Sequence, residues 1–452
     1  MPSSLRTCQI LILGAGPAGC AVALGLARLG YDVVVVSQWR HFNAIEGISK
    51  RTLHGLEQAG LRQAAKTAMA ATDRLVIWNG QETIANQEHL VDRQRFDQAL
   101  RHDLSAASVR LVAGRVIRWH IHATGHEVEA ETETDAQSWR ADFVIEARGR
   151  QAPALAQGWR GPETLSLLHR WRTDSNGRLA AGVESLPNGW AWMAHLPDGR
   201  CYWQWTMSPR HNPLPPRAQI AAATAALRQS SLSQRILGAP VDGSAIQVHA
   251  RSNTTTLCQA TGDRHWLRVG DAALAADSLS GNGIFQVLSS ALQAPAIVHT
   301  LLQRPADASL ALAFHQQRAE HLGLRFARTG RDFYAAERRW ATAPFWQERA
   351  KWPDDQPLHQ PAGLVRTAMR PVIDDHYIRL AEVVVTDDQP LGMWRVADIE
   401  LAGLVHQLQQ HQADPALNGR WLRERLQQTA PDNRAKVLGW LQTHGMLPAA
   451  AA

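Results

Sequence analysis

Lysine is nearly absent from these 452 residues. It occurs only at 50, 66, 351 and 436, so the formal net charge of +6 is carried by arginine. No basic run or Cys/His spacing accompanies that charge, which leaves nucleic-acid binding without a footprint and no metal site expected. Cysteine is scarce too. The four at 8, 20, 201 and 258 form no C-x-x-C pair, which excludes a disulfide framework and points to a reducing cytoplasm. Long apolar runs are missing. The most apolar stretch, Ile10 to Val36, is broken by Gly14, Gly16, Pro17, Gly19 and Gly30 and carries Arg28 and Asp32, so no signal peptide or membrane span is expected. Tryptophan, by contrast, is abundant, with 17 residues against 4 tyrosines. A chain of this length predicts two or three domains.

The N-terminus, CQILILGAGPAGCAVALGLARLGYDVVVVS, predicts a βαβ unit: a strand over 9–13, a helix over 17–29 and a second strand over 31–36. Gly14, Gly16 and Gly19 supply G-x-G-x-x-G between strand and helix, with Ala18 inside the motif. Glycine suits this turn because the backbone must approach a pyrophosphate closely, while the helix N-terminus offers free N–H groups. The second strand ends at Ser37 rather than at an acid, so Ser37, Gln38 or Arg40 is left to meet the ribose.

Three later stretches specify the nucleotide. VDRQRFDQAL (91–100) places Phe96 and Leu100 on one helix face and Arg93 at the helix start, within reach of a flavin or phosphate. ADFVIEARGR (141–150) reads as a buried strand running into a turn at Gly149. RVGDAALAADSLSGNGIFQVLSSA (268–291) leads from a strand through Asp271, Ser280, Gly281, Gly283 and Ile284 into a helix. Asp271 suits the ribityl hydroxyls of FAD, and the glycines let backbone N–H groups face the flavin. FAD is the expected cofactor.

Together these motifs resemble the FAD-dependent monooxygenases of the p-hydroxybenzoate hydroxylase type. Within that group, GDAALAADSLSGNGI resembles the G-D-A-A-x-x-x-D-P-L-x-S-x-G-I stretch of the tryptophan-halogenase branch, with Ser278 for proline and Gly281 for serine. NGWAWMAHLP is similar to that branch's G-W-x-W-x-I-P at Gly189, Trp190 and Trp192. AIEGISKRTLHGLEQAGL (44–61) and FYAAERRWATAPFWQER (333–349) resemble the tryptophylquinone-maturation flavoproteins, the partners of lysine ε-oxidase, glycine oxidase and quinohemoprotein amine dehydrogenase.

The resemblance implies an α/β fold: a Rossmann-type FAD-binding domain, an antiparallel-sheet substrate domain and a small helical C-terminal appendage. The expected boundaries are 1–78, 92–160 and 255–330 for the FAD domain and 79–91 with 161–254 for the substrate domain. A helical tail and linker follow at 331–374, and a small domain at 375–452. It also implies hydroxylation of a tryptophan side chain of a partner polypeptide through a flavin C4a-hydroperoxide, using O2 and either NAD(P)H or a separate flavin reductase. The alternatives are a halogenase or hydroxylase of a free indole, and a non-catalytic FAD-bearing assembly factor. The halogenases' lysine has no counterpart here: none occurs between Thr67 and Trp78, and a small residue near Ala70 stands where it is expected.

His195, His54 and Asp277 are the candidate proton donors or relays. For NGWAWMAHLPDGRCYWQW (188–205), a Pro-Asp-Gly loop with Gly199 left-handed predicts a hairpin pairing Leu196 with Arg200, Ala194 with Tyr202 and Trp192 with Gln204. Trp190, Trp192 and Tyr202 then share the cavity face; Trp203, Trp205 and His195 fall on the other.

Overall fold

The computed structural model describes residues 5–40, 42–122, 125–153, 158–173, 177–211, 213, 215–238, 247–281, 283–410 and 415–447. The chain divides into two compact units, residues 1–298 with 319–356, and residues 299–318 with 357–452.

The first unit is built on two sheets. The apolar run at its start forms strand Leu5–Leu13, which pairs in parallel with Val33–Ser37 on one side and Ala136–Glu146 on the other. Arg110–Ala113 and Trp266–Arg268 extend this parallel sheet at its two ends. Helix Pro17–Arg28 crosses between the first two strands and buries most of its length, which explains its near-continuous apolar sequence. Strands Arg115–His122 and Gly125–Glu131 cover the other face of the sheet, and in a parallel sheet of this kind ligands bind beyond the carboxyl ends of the strands.

The second sheet has the order Gln247–Ser252, Leu165–Arg172, Arg200–Met207, Gly189–His195, Ala180–Leu186, Ala71–Trp78, Gln81–Asp92 and Ile45–Ile48. All neighbours are antiparallel except Ala180–Leu186 with Ala71–Trp78. Segments 45–48 and 71–78, placed with the FAD domain by sequence, therefore belong to this sheet. A hydrophobic run does not announce which sheet it will join.

Behind the second sheet, Trp203, Trp205, Leu167 and Met193 pack against helices Pro216–Gln229 and Ser231–Leu237. The second of these is anchored by the buried Glu184, whose carboxylate accepts from the Ser231 and Leu232 N–H groups at 3.2 and 3.0 Å and from the Ser230 and Ser231 hydroxyls. A carboxylate at a helix N-terminus satisfies orphan donors and complements the dipole. Glu184→Ala is expected to cost about 2 kcal/mol, read as a lower urea midpoint at unchanged slope.

Helix Gly283–Gln303 is the one helix among the described residues long and apolar enough to cross a membrane; just over half of its apolar window is buried in the protein.

In the second unit, strands Arg366–Asp374, Tyr377–Thr386 and Gln389–Met393 form an antiparallel meander, followed by helices Leu401–Gln410, Pro415–Arg425 and Pro431–Thr443. The expected appendage is helical, as read, but it also carries a sheet.

Candidate FAD and substrate cleft

A cleft of about 830 Å³ opens at the carboxyl ends of the parallel strands and is roofed by the second sheet. Its floor is the glycine turn. Gly14 has φ of +110°, and a Cβ there would stand 2.6 Å from the Ala147 carbonyl oxygen; a Cβ on Gly19 would collide with the Gly14 carbonyl. These two glycines let strand and helix approach. Gly16 differs: it N-caps helix Pro17–Arg28, has ordinary extended backbone and has nothing within 4 Å of its Cβ position. No side chain caps this helix and no acid lies in its first turn. The N-terminus faces open cleft with its N–H groups unsatisfied by side chains, which is a cradle for an anion.

Ala18, Ser37, Gln38 and Arg40 line the same cleft, as do Gly149, Asp271, Gly281, Gly283 and Ile284. The Ser280 side chain lies outside the described residues. Arg93 also reaches the cleft, but it is buried and held by Glu46 at 2.7 Å and Asp97 at 2.8 Å. Arg40 joins through its Nε to Asp97 at 3.1 Å, leaving its buried Nη1 without a hydrogen-bond partner among the described residues. Burial works to raise the Glu46 carboxyl, but the charges of Arg93, Arg40 and Arg251 hold it below the usual carboxylate range. Asp271 goes the other way. Burial raises its carboxyl, and Arg150, 3.6 Å away, only partly opposes this.

The hairpin has the register expected from its turn. Trp192 pairs with Gln204 and Ala194 with Tyr202, Leu196 N–H donates to the Arg200 carbonyl at 2.9 Å, and Gly199 has φ of +80°. Trp190 and Trp192 line the cleft, while Trp203 and Trp205 pack on the opposite face. Tyr202 corrects the expectation. It shares their face but sits farther along the strand, packed with Leu168, Ala194 and Leu196 outside the cleft. Alternation assigns a face, not a position along it.

The three candidate proton donors are also corrected. None lines the cleft. His195 is buried behind the sheet, with Nδ1 3.3 Å from the Arg178 carbonyl and Nε2 3.4 Å from the Thr173 hydroxyl. His54 is exposed on helix Lys50–Ala59, where Nε2 meets the Gln58 amide at 3.0 Å. Asp277 caps the turn Ser278–Ser280 and accepts from the Tyr334 hydroxyl at 2.9 Å; Tyr334 in turn accepts from the Trp190 indole N–H at 3.2 Å. Asp277 thus sets the tilt of a cleft tryptophan from behind the wall.

Several charged cleft residues escaped the sequence reading, and two of them stand together. Arg74 and Glu88, on the paired strands Ala71–Trp78 and Gln81–Asp92, both line the cleft. Glu88 is buried, and burial raises its carboxyl against the opposing charge of Arg74 and the indole N–H of Trp192. Neither residue belongs to a motif. They share a face because Thr72 pairs with Glu88 and Arg74 with Asn86, a pairing between strands that nothing in the sequence marks. No cluster of metal-ligating side chains occurs among the described residues.

The open Gly16 position, the uncapped helix start and the cluster of arginines fit a dinucleotide with two negative charges. Comparison with known proteins agrees. The FAD binding domain family matches residues 7–323. A solved structure of peptidyl tryptophan dihydroxylase QhpG, described as essential for tryptophylquinone cofactor biogenesis, is 49% identical, covering 97% of this chain and 100% of its own, with a TM-score of 0.83. Tryptophan 2-halogenase of Chondromyces crocatus is 22% identical over 86% of this chain and 77% of its own. The flavin-dependent halogenase CmlS, at 14% identity over 98% and 96% of the two chains and a TM-score of 0.75, shares the fold. The chain belongs to the FAD binding domain family and is an FAD-dependent oxidoreductase of the monooxygenase type.

Proposed function

We propose that this chain hydroxylates a tryptophan side chain of a partner polypeptide during tryptophylquinone cofactor biogenesis. One observation carries the reading: 49% identity, over nearly the whole of both chains, to a peptidyl tryptophan dihydroxylase. FAD, when bound and reduced, activates O2 and supplies one electrophilic oxygen atom, the second leaving as water.

The chain's own residues do the rest. Gly16 and the start of helix Pro17–Arg28 hold the pyrophosphate, and Ser37, Gln38 or Arg40 meets the adenosine ribose. Asp271 takes the ribityl hydroxyls. Gly281, Gly283, Ile284 and Gly149, which line the same cleft, would hold the flavin. Arg93 acts indirectly, as the buried cation that fixes Glu46 and Asp97 at the cleft edge. Trp190 and Trp192 form an apolar wall that orients a flat ring and excludes water from the oxygen-transfer site.

A halogenase is the weaker reading. Lys50, Lys66, Lys351 and Lys436 are all exposed and none lines the cleft, so no ammonium group stands ready to hold a hypohalous acid. We place the reaction in the cytoplasm, consistent with four unpaired cysteines, and assign reduction of FAD to NAD(P)H or a separate flavin reductase.

The test is direct. Reduced FAD-loaded protein, O2 and a tryptophan-bearing partner are expected to give a mass gain of one or two oxygen atoms on a single tryptophan. No gain on the polypeptide, together with turnover of free tryptophan or indole, would overturn the proposal.

A further inference from the structure

Of the acidic side chains that line the cleft, Glu46, Asp97 and Asp271 each form an ion pair with an arginine, and Glu88 forms none among the described residues. Glu88 is 4% exposed, lines the cleft, and has an oxygen, Oε1, without a hydrogen-bond partner among the described residues. Its other oxygen packs against Gly47, where any Cβ would collide with it, so the glycine of Glu46-Gly47-Ile48-Ser49 makes room for this carboxyl. The Trp192 indole N–H and the charge of Arg74, on the neighbouring strand, both work to lower this carboxyl against the upward push of burial. Arg74 Nε is also buried without a hydrogen-bond partner among the described residues.

Buried acceptors are nearly always satisfied, and one left open in a cleft calls for a donor from outside. The donor must be flat enough to enter between the tryptophans, and it must bring an N–H to a carboxyl that already faces one indole.

We propose that Glu88 is the specificity-determining residue of this cleft: its Oε1 accepts the hydrogen bond from the indole N–H of the substrate ring. The proposal rests on the reading that the cleft receives tryptophan. The carboxyl keeps acceptor lone pairs in either protonation state, so the recognition survives the upward push that burial gives it. A ring of the same shape lacking the N–H leaves a buried acceptor unpaired, the situation in which polar sites discriminate most strongly. Glu88 therefore selects the ring, while the polypeptide around it selects the site.

The experiment uses FAD-loaded protein titrated with indole and with benzothiophene, which replaces N–H by sulfur without adding bulk. Binding is read from the perturbation of the flavin absorption bands. The wild type is expected to prefer indole by about tenfold or more. Glu88→Leu is expected to bring the two affinities within about threefold of each other, at unchanged FAD content. If the leucine variant loses FAD, Glu88→Ala, which demands no new space, takes its place with the same expectation. Equal affinities in the wild type, absence of indole binding, or a preference that survives both substitutions would overturn the assignment. Hydroxylation of the partner polypeptide is scored separately by mass. No oxygen gain with the indole preference intact sinks the proposed reaction and leaves Glu88; oxygen gain without the preference sinks Glu88 alone.

Discussion

An alanine at Gly16 is expected to give a protein that folds normally and does not retain FAD. The Cβ position is open, the backbone there is accessible to any residue, and the N-cap loses no side-chain hydrogen bond. Apoprotein melting should therefore stay within a few degrees of wild type, since replacing an N-cap glycine costs about 1 kcal/mol at most. The methyl group projects into the space where the pyrophosphate must meet the helix N–H groups. Overpacking of about 1–3 kcal/mol there weakens FAD binding by up to about a hundredfold. Gly19→Ala should behave differently, because its Cβ collides with the Gly14 carbonyl rather than with empty space. Strand and helix must separate, so both the melting temperature and FAD retention fall. Flavin-to-protein absorbance ratios and apoprotein melting curves check the pair. Equal loss of stability in the two variants would contradict the assignment of Gly16 to the cofactor.

Removing the Glu337 carboxylate is expected to cost about 3–5 kcal/mol, the largest stability effect of any single change considered. Glu337 belongs to the FYAAERRW stretch that resembles a functional tail, but the structure gives it an internal fastening role. Oε2 accepts from the Asn79 N–H and the Ser185 hydroxyl, both at 2.6 Å, and from Arg339 Nη2 at 2.9 Å. Oε1 accepts from the Arg339 N–H at 2.9 Å and its Nε at 3.0 Å. One carboxylate thus ties the turn after Trp78, strand Ala180–Leu186 and the residues that follow helix Ala308–Ala336 together. Its burial works to raise the carboxyl, but the hydrogen bonds from Arg339, Ser185 and Asn79 outweigh it and hold the group below its ordinary value. A depressed carboxylate contributes stability that is present above the unfolded value and is lost as the pH falls through the folded one. Wild type should therefore lose stability below about pH 4.3 more steeply than Glu337→Gln, which starts lower and has a flatter acid limb. Urea midpoints measured across that range test both the offset and the slope.

The nucleotide-binding start was legible because its requirement is backbone geometry, which glycine spacing states outright. The hairpin register was legible for a similar reason. Proline cannot donate in a ladder, and that excludes the two-residue loop, fixing which tryptophans face the cleft. Where the reading failed, the deciding fact lay in a distant segment. His195 has the chemistry of a proton donor, but it is buried behind the sheet against Thr173 and the Arg178 carbonyl. Asp277 is close in sequence to the flavin loop yet is turned to Tyr334, 57 residues on. Arg74 and Glu88 carry no motif, and their meeting depends on the pairing of two strands and on room left by Gly47, from a third. Chemistry written into local backbone could be read; chemistry assembled from three segments could not.

The division of tryptophans across the hairpin gives the protein two separate optical signals. Indole beside a flavin exchanges an electron with it in the excited state, so emission from Trp190 and Trp192 should be extinguished when FAD is bound and recover when it leaves. Trp203 and Trp205, packed in an apolar layer on the far side of the sheet, should emit at short wavelength until that layer opens. Cofactor release is then read as intensity and unfolding as colour, so one fluorescence trace can distinguish a variant that has lost FAD from one that has lost its structure.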